Sequence, residues 1–240
     1  MADGKPDEKL LATLTTEDGK PVLQRYTLSE KDVKGPFLKE VPKKLEDMAK
    51  LKHLSYTSPR ELLTEKFHMD EDLLAALNPG ADFSQAGTQI TVAQVKTRGE
   101  KDSVTRIEID KGAGSLSAFD DKDELVAFYP ASIGSSDMPS PTGTHKVRAI
   151  APEPIYYYNP KELNFSGVKA EGLLEIAAGP NNPVGTVWID LTEPTYGIHG
   201  TPEPSLIAKS ESHGCVRLTN WDAEELAKMV KTGATVTFNE

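Results

Sequence analysis

The residue types most able to do chemistry lie close together near the end of this chain. Cys215, the only cysteine in 240 residues, follows Ser212, His213 and Gly214, and His199 lies upstream in the same stretch. A cysteine attacks as its thiolate, and a thiol with a pKa of about 8.5 is mostly protonated at neutral pH, so it needs a base within hydrogen-bond reach. The two histidines are the candidates for that base.

The glycines beside these side chains also favour nucleophilic chemistry. Gly214 allows neighbouring N–H groups to turn towards one point, as an oxyanion hole requires. Gly200 follows His199, and its carbonyl could accept the proton on Nδ1 of the imidazole. That contact would leave Nε2 unprotonated and facing the sulfur.

Residue chemistry alone leaves two other interpretations open. A lone cysteine is commonly a buried, inert thiol, and a lone histidine is commonly a surface or core residue. His199, His213 and Cys215 could also be metal ligands, although their spacing is not that of a regular zinc motif. A single cysteine excludes an internal disulfide and multi-cysteine zinc modules.

Composition limits the classes of protein and partner. Hydrophobic residues make up 38% of the chain and charged residues 27%, as in an ordinary globular protein. The formal net charge of −10 argues against nucleic acid as the main partner, because phosphate binding needs clustered Lys and Arg. No window approaches the ~20 apolar residues of a membrane span, and the start, MADGKPDEKLLATL, lacks the basic and apolar regions of a secretion signal.

The second half of the chain has mainly the pattern of β-strands, which would position the cysteine and the histidines. Alternating segments begin at Val104, and further strands are predicted in GTHKVRAI, GTVWIDL and YGIHG. The segment Pro152 to Gly167 is rich in aromatic residues and proline and is predicted to be a long loop or flap. One late helix is predicted, with Thr219 and Asp222 as a capping pair and Gly233 as its stop, followed by a last strand.

Before this region, residues 50–96 are predicted to form a compact unit with two short helices. Ser58 starts the first helix, with Glu61 completing a capping box, and Asp70 caps the second helix. GTQITVAQV then alternates as a strand. Residues 97–103 are predicted to be a linker, and no chemistry is identified in residues 1–49.

The compact unit resembles a lysin motif. Its stretch LLAALNPGADFSQAGTQITV is similar to the leucine-rich helix, Asn-Pro and closing strand of that family. The resemblance implies a small βααβ domain that binds glycan containing N-acetylglucosamine. A structural spacer without affinity for sugar is the alternative.

The stretch around Cys215 resembles the signature of the L,D-transpeptidase (YkuD-type) catalytic domain. That signature is a histidine, a variable stretch and then Ser/Thr-His-Gly-Cys with an apolar residue, filled here by His199 and by Ser212 to Val216. The similarity covers roughly Val104 to Phe238 and includes YPASIG, PSPTG and GTVWIDL. It implies a mainly β fold (α+β overall), with a β-sandwich-like catalytic domain over residues 104–240 and one late helix.

The resemblance also implies a role for each residue of the motif. Cys215 would be the nucleophile and His199 the general base, oriented by the carbonyl of Gly200. The backbone N–H groups of His213, Gly214 and Cys215 would form the oxyanion hole. No metal or organic cofactor is implied, because the thiol and the imidazole supply both nucleophile and proton shuttle.

Four side chains are predicted to contact the substrate: Arg217, Ser212, Tyr196 and Tyr157. The planar guanidinium of Arg217 suits a substrate carboxylate, which it can hold with two hydrogen bonds. Alternatively, Arg217 could be a surface residue that covers the helix after it.

The implied reaction is acyl transfer on peptidoglycan, and the family is typically inactivated by carbapenems. Cys215 would attack the bond between the L-centre of diaminopimelate and D-alanine in a tetrapeptide stem, and the acyl group would pass to an amine to give 3-3 cross-links. The acceptor could be a second stem peptide, a free D-amino acid or the amino terminus of an outer-membrane protein. Alternatives are an L,D-carboxypeptidase, D-amino-acid exchange, or a non-catalytic scaffold that binds peptidoglycan.

Peptidoglycan lies outside the cytoplasm, so a role in cell-wall biogenesis and cell shape implies a periplasmic or cell-wall-associated protein. We therefore expect the natural precursor to carry an export signal upstream of Met1. In an oxidising compartment, a second thiol could trap Cys215 in a disulfide, which gives the single cysteine a physical reason.

Overall fold

The computed structural model describes residues 21–95, 103–135, 138–161, 168, 170, 172–210, 212 and 214–240. Most of the predicted linker, residues 97–102, and part of the predicted flap, residues 162–167, lie outside the described residues. The described chain forms an N-terminal unit (residues 21–95) and a C-terminal domain (residues 103–240). No helix in the described ranges is long and apolar enough to cross a bilayer.

The N-terminal unit combines a two-stranded antiparallel sheet with short helices. Its elements are β1 (Leu23–Thr27), α1 (Glu30–Lys34), α2 (Leu45–Met48), α3 (Pro59–Lys66), α4 (Glu71–Leu77) and β2 (Gln89–Ala93). β1 lies within residues 1–49 and pairs along its whole length with β2. A small core of apolar side chains, including Leu63, Leu74 and Ile90, joins the helices to this sheet.

The helix starts in this unit follow from local capping residues. The Ser58 hydroxyl accepts a 3.1 Å hydrogen bond from the Glu61 N–H, and Asp70 accepts hydrogen bonds at the start of α4, as the sequence predicts. In a capping box the Glu61 carboxylate would accept in return from the N–H of the capping residue, Ser58. Here it accepts from the N–H of the preceding residue, Thr57, at 2.6 Å. Its other oxygen accepts a 2.7 Å hydrogen bond from Asn181 of the C-terminal domain, so Glu61 serves the cap and the interface together.

The strands of the C-terminal domain are β3 (Val104–Asp110), β4 (Ser115–Phe119), β5 (Leu125–Pro130), β6 (Ser132–Ile133), β7 (Gly143–Pro152), β8 (Tyr156–Tyr158), β9 (Leu174–Ile176), β10 (Val187–Leu191), β11 (Gly197–His199), β12 (Val216–Arg217) and β13 (Val230–Asn239). Nine of these strands form one sheet with the order β5-β4-β3-β13-β7-β10-β11-β12-β6. The helix α5 (Asn220–Met229) follows β12, and a 3-10 turn spans Pro204–Leu206. Strands from both halves of the sheet share one apolar core, which confirms the mainly β domain with one late helix.

Two predicted elements of this domain differ in the structure. The late helix ends at Met229, not at Gly233, because Val230 is buried and pairs with Val104 at the start of β13. Gly233, with φ of +93°, lies where the β13 pairing shifts register. Part of the predicted loop after residue 152 is also a strand, since β8 pairs antiparallel with β9.

The N-terminal unit docks on the C-terminal domain through direct backbone contacts. The Leu54 N–H donates to the Ala178 carbonyl, and the Asn181 N–H donates to the Leu54 carbonyl, both at 2.9 Å. Gly179 permits this approach, since a Cβ atom there would lie 2.4 Å from the Leu54 oxygen. At this contact α3 lies beside α5, the helix that follows β12.

Candidate active site

Two short parallel strands bring the histidine and the cysteine of the motif together. β11 and β12 pair in register, with Ile198 beside Val216 and His199 beside Arg217. Because alternate residues of a strand face the same side, Ile198 and Val216 point into the core while His199 and Arg217 share the opposite face. Cys215 lies immediately before β12, two residues before Arg217.

His199 is held in one orientation by its neighbours. The imidazole is buried, stacks on Trp188 with ring centroids 5.5 Å apart, and makes a 2.6 Å hydrogen bond from Nδ1 to the Gly200 carbonyl. A carbonyl can only accept, so Nδ1 carries the proton and Nε2 has a free lone pair. Burial lowers the pKa of His199 to about 4, with the positive charge of Arg217 acting in the same direction, and the Gly200 hydrogen bond opposes this only in part. The imidazole is therefore neutral at pH 7.

The Cys215 thiol is neutral as well. Burial raises its pKa, although a hydrogen bond from the Gly197 backbone and the charge of Arg217 both favour the thiolate. The sulfur lies 3.7 Å from the Thr195 carbonyl oxygen, to which the S–H donates. A neutral thiol and a neutral imidazole can form a thiolate only by transferring a proton between them, and that transfer is the chemistry these two groups allow.

The backbone around Cys215 is fixed by buried contacts. Gly214 has φ of +101°, and a Cβ atom there would lie 2.7 Å from the Tyr196 ring. The Ser140 hydroxyl donates to the Gly214 carbonyl at 2.6 Å, and the Ser212 hydroxyl donates to the Cys215 carbonyl. Only glycine fits at position 214, because both the backbone conformation and the space exclude a side chain.

The predicted substrate-binding residues occupy different places. Arg217 shares the face of His199, and Tyr196 packs beside Gly214, with its hydroxyl 3.4 Å from the Pro139 carbonyl. The Ser212 side chain is buried and engages backbone, whereas Tyr157 is exposed on β8. His213, predicted to contribute an N–H to the oxyanion hole, lies outside the described residues.

Sequence reasoning missed several residues that shape this site. Tyr156 lies near enough to Cys215 to respond to its charge: burial and the cysteine charge together raise the pKa of Tyr156 to about 12. Trp188 supports the imidazole, and Asn220 packs against Gly200. Within the described ranges, no group of three or more His, Cys, Asp or Glu side chains is arranged to hold a metal ion.

Comparison with known proteins matches this chain to one family. Residues 104–238 match the family model described as the L,D-transpeptidase catalytic domain, YkuD. A Bacillus licheniformis protein named as the L,D-transpeptidase YkuD is 28% identical over 181 residues, which are 74% of this chain and 92% of that protein. The Escherichia coli K12 protein YbiS, also named as an L,D-transpeptidase, is 29% identical over 76% of this chain but only 60% of its own length.

One solved structure among the matches is the NMR structure of the catalytic domain from an Enterococcus faecium L,D-transpeptidase acylated by ertapenem. It is 20% identical, covers 57% of this chain and 98% of that chain, and has a TM-score of 0.44.

Proposed function

This chain belongs to the L,D-transpeptidase family, a family of acyltransferases that act on peptidoglycan, and we propose that it is itself a peptidoglycan L,D-transpeptidase with Cys215 as nucleophile and His199 as general base. The observation that carries the proposal is the hydrogen bond from His199 Nδ1 to the Gly200 carbonyl, because it directs the basic Nε2 away from the backbone. The pairing of β11 with β12 supports the proposal, because it brings His199 beside Arg217, two residues from Cys215.

In the first half of the reaction, the Cys215 sulfur attacks the carbonyl carbon between the L-centre of diaminopimelate and D-alanine. The thiol proton passes to His199 Nε2 as the carbon–sulfur bond forms. The oxyanion of the tetrahedral intermediate accepts hydrogen bonds from the backbone N–H groups at Gly214 and Cys215, with the His213 N–H as the third predicted donor. The carbon–nitrogen bond then breaks, D-alanine leaves with the proton from the imidazolium, and a thioester remains.

In the second half, an amine of another stem peptide attacks the thioester carbonyl. The amine loses a proton to His199, and the Cys215 sulfur leaves and recovers that proton. The product is an amide, which is a 3-3 cross-link when the acceptor is the side-chain amine of a second diaminopimelate. No proton or electron is gained or lost over the cycle.

Arg217 acts on both partners of the proton transfer through its charge. The guanidinium favours the thiolate of Cys215, whereas it lowers the pKa of His199, which keeps the imidazole neutral but disfavours the imidazolium. Contact of Arg217, Ser212, Tyr196 or Tyr157 with the substrate stays a prediction, as does glycan binding by the lysin-motif-like unit.

The same thioester supports other outcomes. Water as the acceptor would give an L,D-carboxypeptidase, a free D-amino acid would give exchange, and the amino terminus of an outer-membrane protein would give a protein–peptidoglycan link. A substrate in the cell wall places the protein outside the cytoplasm, in the periplasm or associated with the wall. A scaffold without catalysis is disfavoured by the intact thiol–imidazole arrangement.

Incubation with ertapenem followed by intact mass spectrometry tests the nucleophile. We expect one adduct on the wild type and none on Cys215→Ala, with folding of the variant checked by circular dichroism. An adduct that survives Cys215→Ala, or a wild type without adduct, contradicts the assignment. Mass analysis of products from tetrapeptide stems then separates cross-linking from hydrolysis and exchange.

A further inference from the structure

A buried hydrogen-bond network joins the N-terminal unit to the backbone behind His199. Asn220, the first residue of α5, is fully buried, and its Nδ2 lies 2.9 and 3.0 Å from the two carboxyl oxygens of Glu65. The same nitrogen donates to the Pro180 carbonyl at 3.1 Å, and Oδ1 accepts from the Thr186 N–H at 3.2 Å. Each polar atom of the Asn220 carboxamide is therefore engaged, and its orientation is fixed.

The carboxamide of Asn220 lies directly against two glycines. A Cβ atom on Gly200 would lie 2.2 Å from Asn220 Oδ1, and one on Gly185 would lie 2.0 Å from the same oxygen. These two glycines also touch each other, since the Gly185 Cβ would lie 2.6 Å from the Gly200 carbonyl carbon. The position of the Gly200 peptide is therefore set by the Asn220 side chain.

The Gly200 peptide is the group that orients the general base. Its carbonyl accepts the proton of His199 Nδ1 at 2.6 Å, so rotation of this peptide would remove the contact that keeps Nε2 free. Asn220 thus stands between a carboxyl of the N-terminal unit and the imidazole of the catalytic domain. We infer that Glu65, acting through Asn220 and the Gly200 peptide, is a positioning residue for His199.

This inference gives the N-terminal unit a part in the active site that is separate from any contact with glycan. It rests on the proposed function, because it takes His199 as the general base. Glu65 is well placed for the role: it is buried on α3, and Tyr56 also hydrogen-bonds to its carboxyl. A buried acceptor that met no donor would be costly, so the Glu65–Asn220 contact also links docking of the unit to the geometry of the base.

A matched control exists on the same helix. Glu61, one turn before Glu65, also crosses the interface, where it accepts a hydrogen bond from Asn181 at 2.7 Å. Glu61→Met and Glu65→Met each remove one carboxylate from α3 at similar volume. Glu61→Met also removes the contact with the Thr57 N–H at the helix start, but of the two only Glu65 contacts Asn220. Glu65→Gln keeps an acceptor oxygen for Asn220 and serves as the conservative rescue.

Two measurements on the full chain test the inference: the rate of ertapenem acylation, and the tautomer of the His199 ring from ¹⁵N NMR. We expect Glu65→Met to lower the acylation rate at least tenfold and to change the ring from a single Nδ1–H form to a mixture of tautomers. Glu65→Gln and Glu61→Met should stay within about threefold of the wild type, with the ring unchanged. Asn220→Ser should reproduce the tautomer change from the other side of the interface.

Equal losses in Glu65→Met and Glu61→Met would overturn the inference, because they would reflect docking in general. It is also overturned if Glu65→Met and Asn220→Ser both leave the His199 tautomer unchanged. A wild type that ertapenem does not acylate would contradict the proposed function alone, since the tautomer comparison needs no activity.

Discussion

His199 and Arg217 are direct neighbours across the parallel strands β11 and β12, with an imidazole and a guanidinium side by side on one face. This pairing sets a permanent positive charge next to the candidate general base and two residues from Cys215. The charge lowers the pKa of His199 and opposes the burial that raises the pKa of Cys215. One cation therefore acts on both partners of the proposed proton transfer.

Removing this charge should make Cys215 less reactive. We expect Arg217→Gln to slow alkylation of the thiol by iodoacetamide at pH 7.5 by about threefold or more, because a charge interaction at a partly buried site is on the order of 1 kcal/mol. Since Cys215 is the only cysteine, intact mass reads the reaction directly. Arg217→Lys is the control: it keeps the charge and should restore alkylation, and equal slowing in both variants would argue against an electrostatic cause.

Acylation should persist well below the ordinary pKa of histidine. His199 has a pKa of about 4 against an ordinary value of 6.5, so the imidazole stays unprotonated and able to act as a base between these two values. We expect the ertapenem acylation rate to show no decline centred near pH 6.5 and to fall only as pH approaches 4. A ¹³C NMR titration of the His199 ring checks the pKa itself, and a midpoint near 6.5 would contradict the effect of burial.

The features that the sequence predicts well depend on contacts between residues that are close together in the chain. Ser58, Asp70 and Thr219 start helices because each hydroxyl or carboxylate accepts from an N–H two or three residues later. The contact of His199 with Gly200 joins adjacent residues and is likewise readable from the motif. Such features need no knowledge of the tertiary fold.

The features that could not be predicted from the sequence depend on contacts between residues that are far apart in the chain. Tyr156 and Cys215 are 59 residues apart, so the sequence could not show that the charge of Cys215 acts on this tyrosine of the run 156–158. Glu65 and Asn220 are 155 residues apart, and neither belongs to the recognised motif. The end of α5 at Met229 likewise follows from strand pairing at Val230, which outweighs the stop predicted at Gly233.

Two glycines with similar φ angles, Gly214 and Gly233, allow a test of the loop that carries Cys215. Gly214→Ala should lower ertapenem acylation at least tenfold, because the new methyl group would meet the Tyr196 ring at 2.7 Å and shift the next residue, Cys215. Gly233→Ala is the control, since φ is +93° there but nothing lies within 4 Å of the added Cβ. We expect Gly233→Ala to cost about 1 kcal/mol of stability with acylation unchanged, measured by thermal unfolding and intact mass. If both variants lose activity in proportion to stability, steric contact with Tyr196 is not the cause.

The buried carboxyl of Glu65 should make stability depend on pH in an unusual direction. Burial, together with the nearby Glu61 and Glu224, raises the pKa of Glu65 to about 8, against the opposing hydrogen bonds from Asn220 and Tyr56. A raised pKa means that the folded state binds the proton more tightly than the unfolded state, whose carboxyl has the ordinary pKa of 4.5. The stability linked to this proton is therefore complete below pH 4.5 and is lost as pH rises towards 8.

Glu65→Gln should therefore become more stable than the wild type at alkaline pH. Glutamine resembles the protonated carboxyl and does not titrate, so the two proteins should melt at similar temperatures at pH 4.5 and diverge by up to about 1.4 kcal/mol per pH unit above it. For a chain of this length, each kcal/mol corresponds to a melting-temperature difference of about 2–4 °C. Calorimetry of both proteins from pH 4.5 to 8.5 measures the difference between their melting temperatures at each pH. The other titrating groups are the same in both proteins, so their contributions cancel in this difference. A difference that stays constant over this range would show that the Glu65 carboxyl keeps its ordinary pKa when it is buried against Asn220.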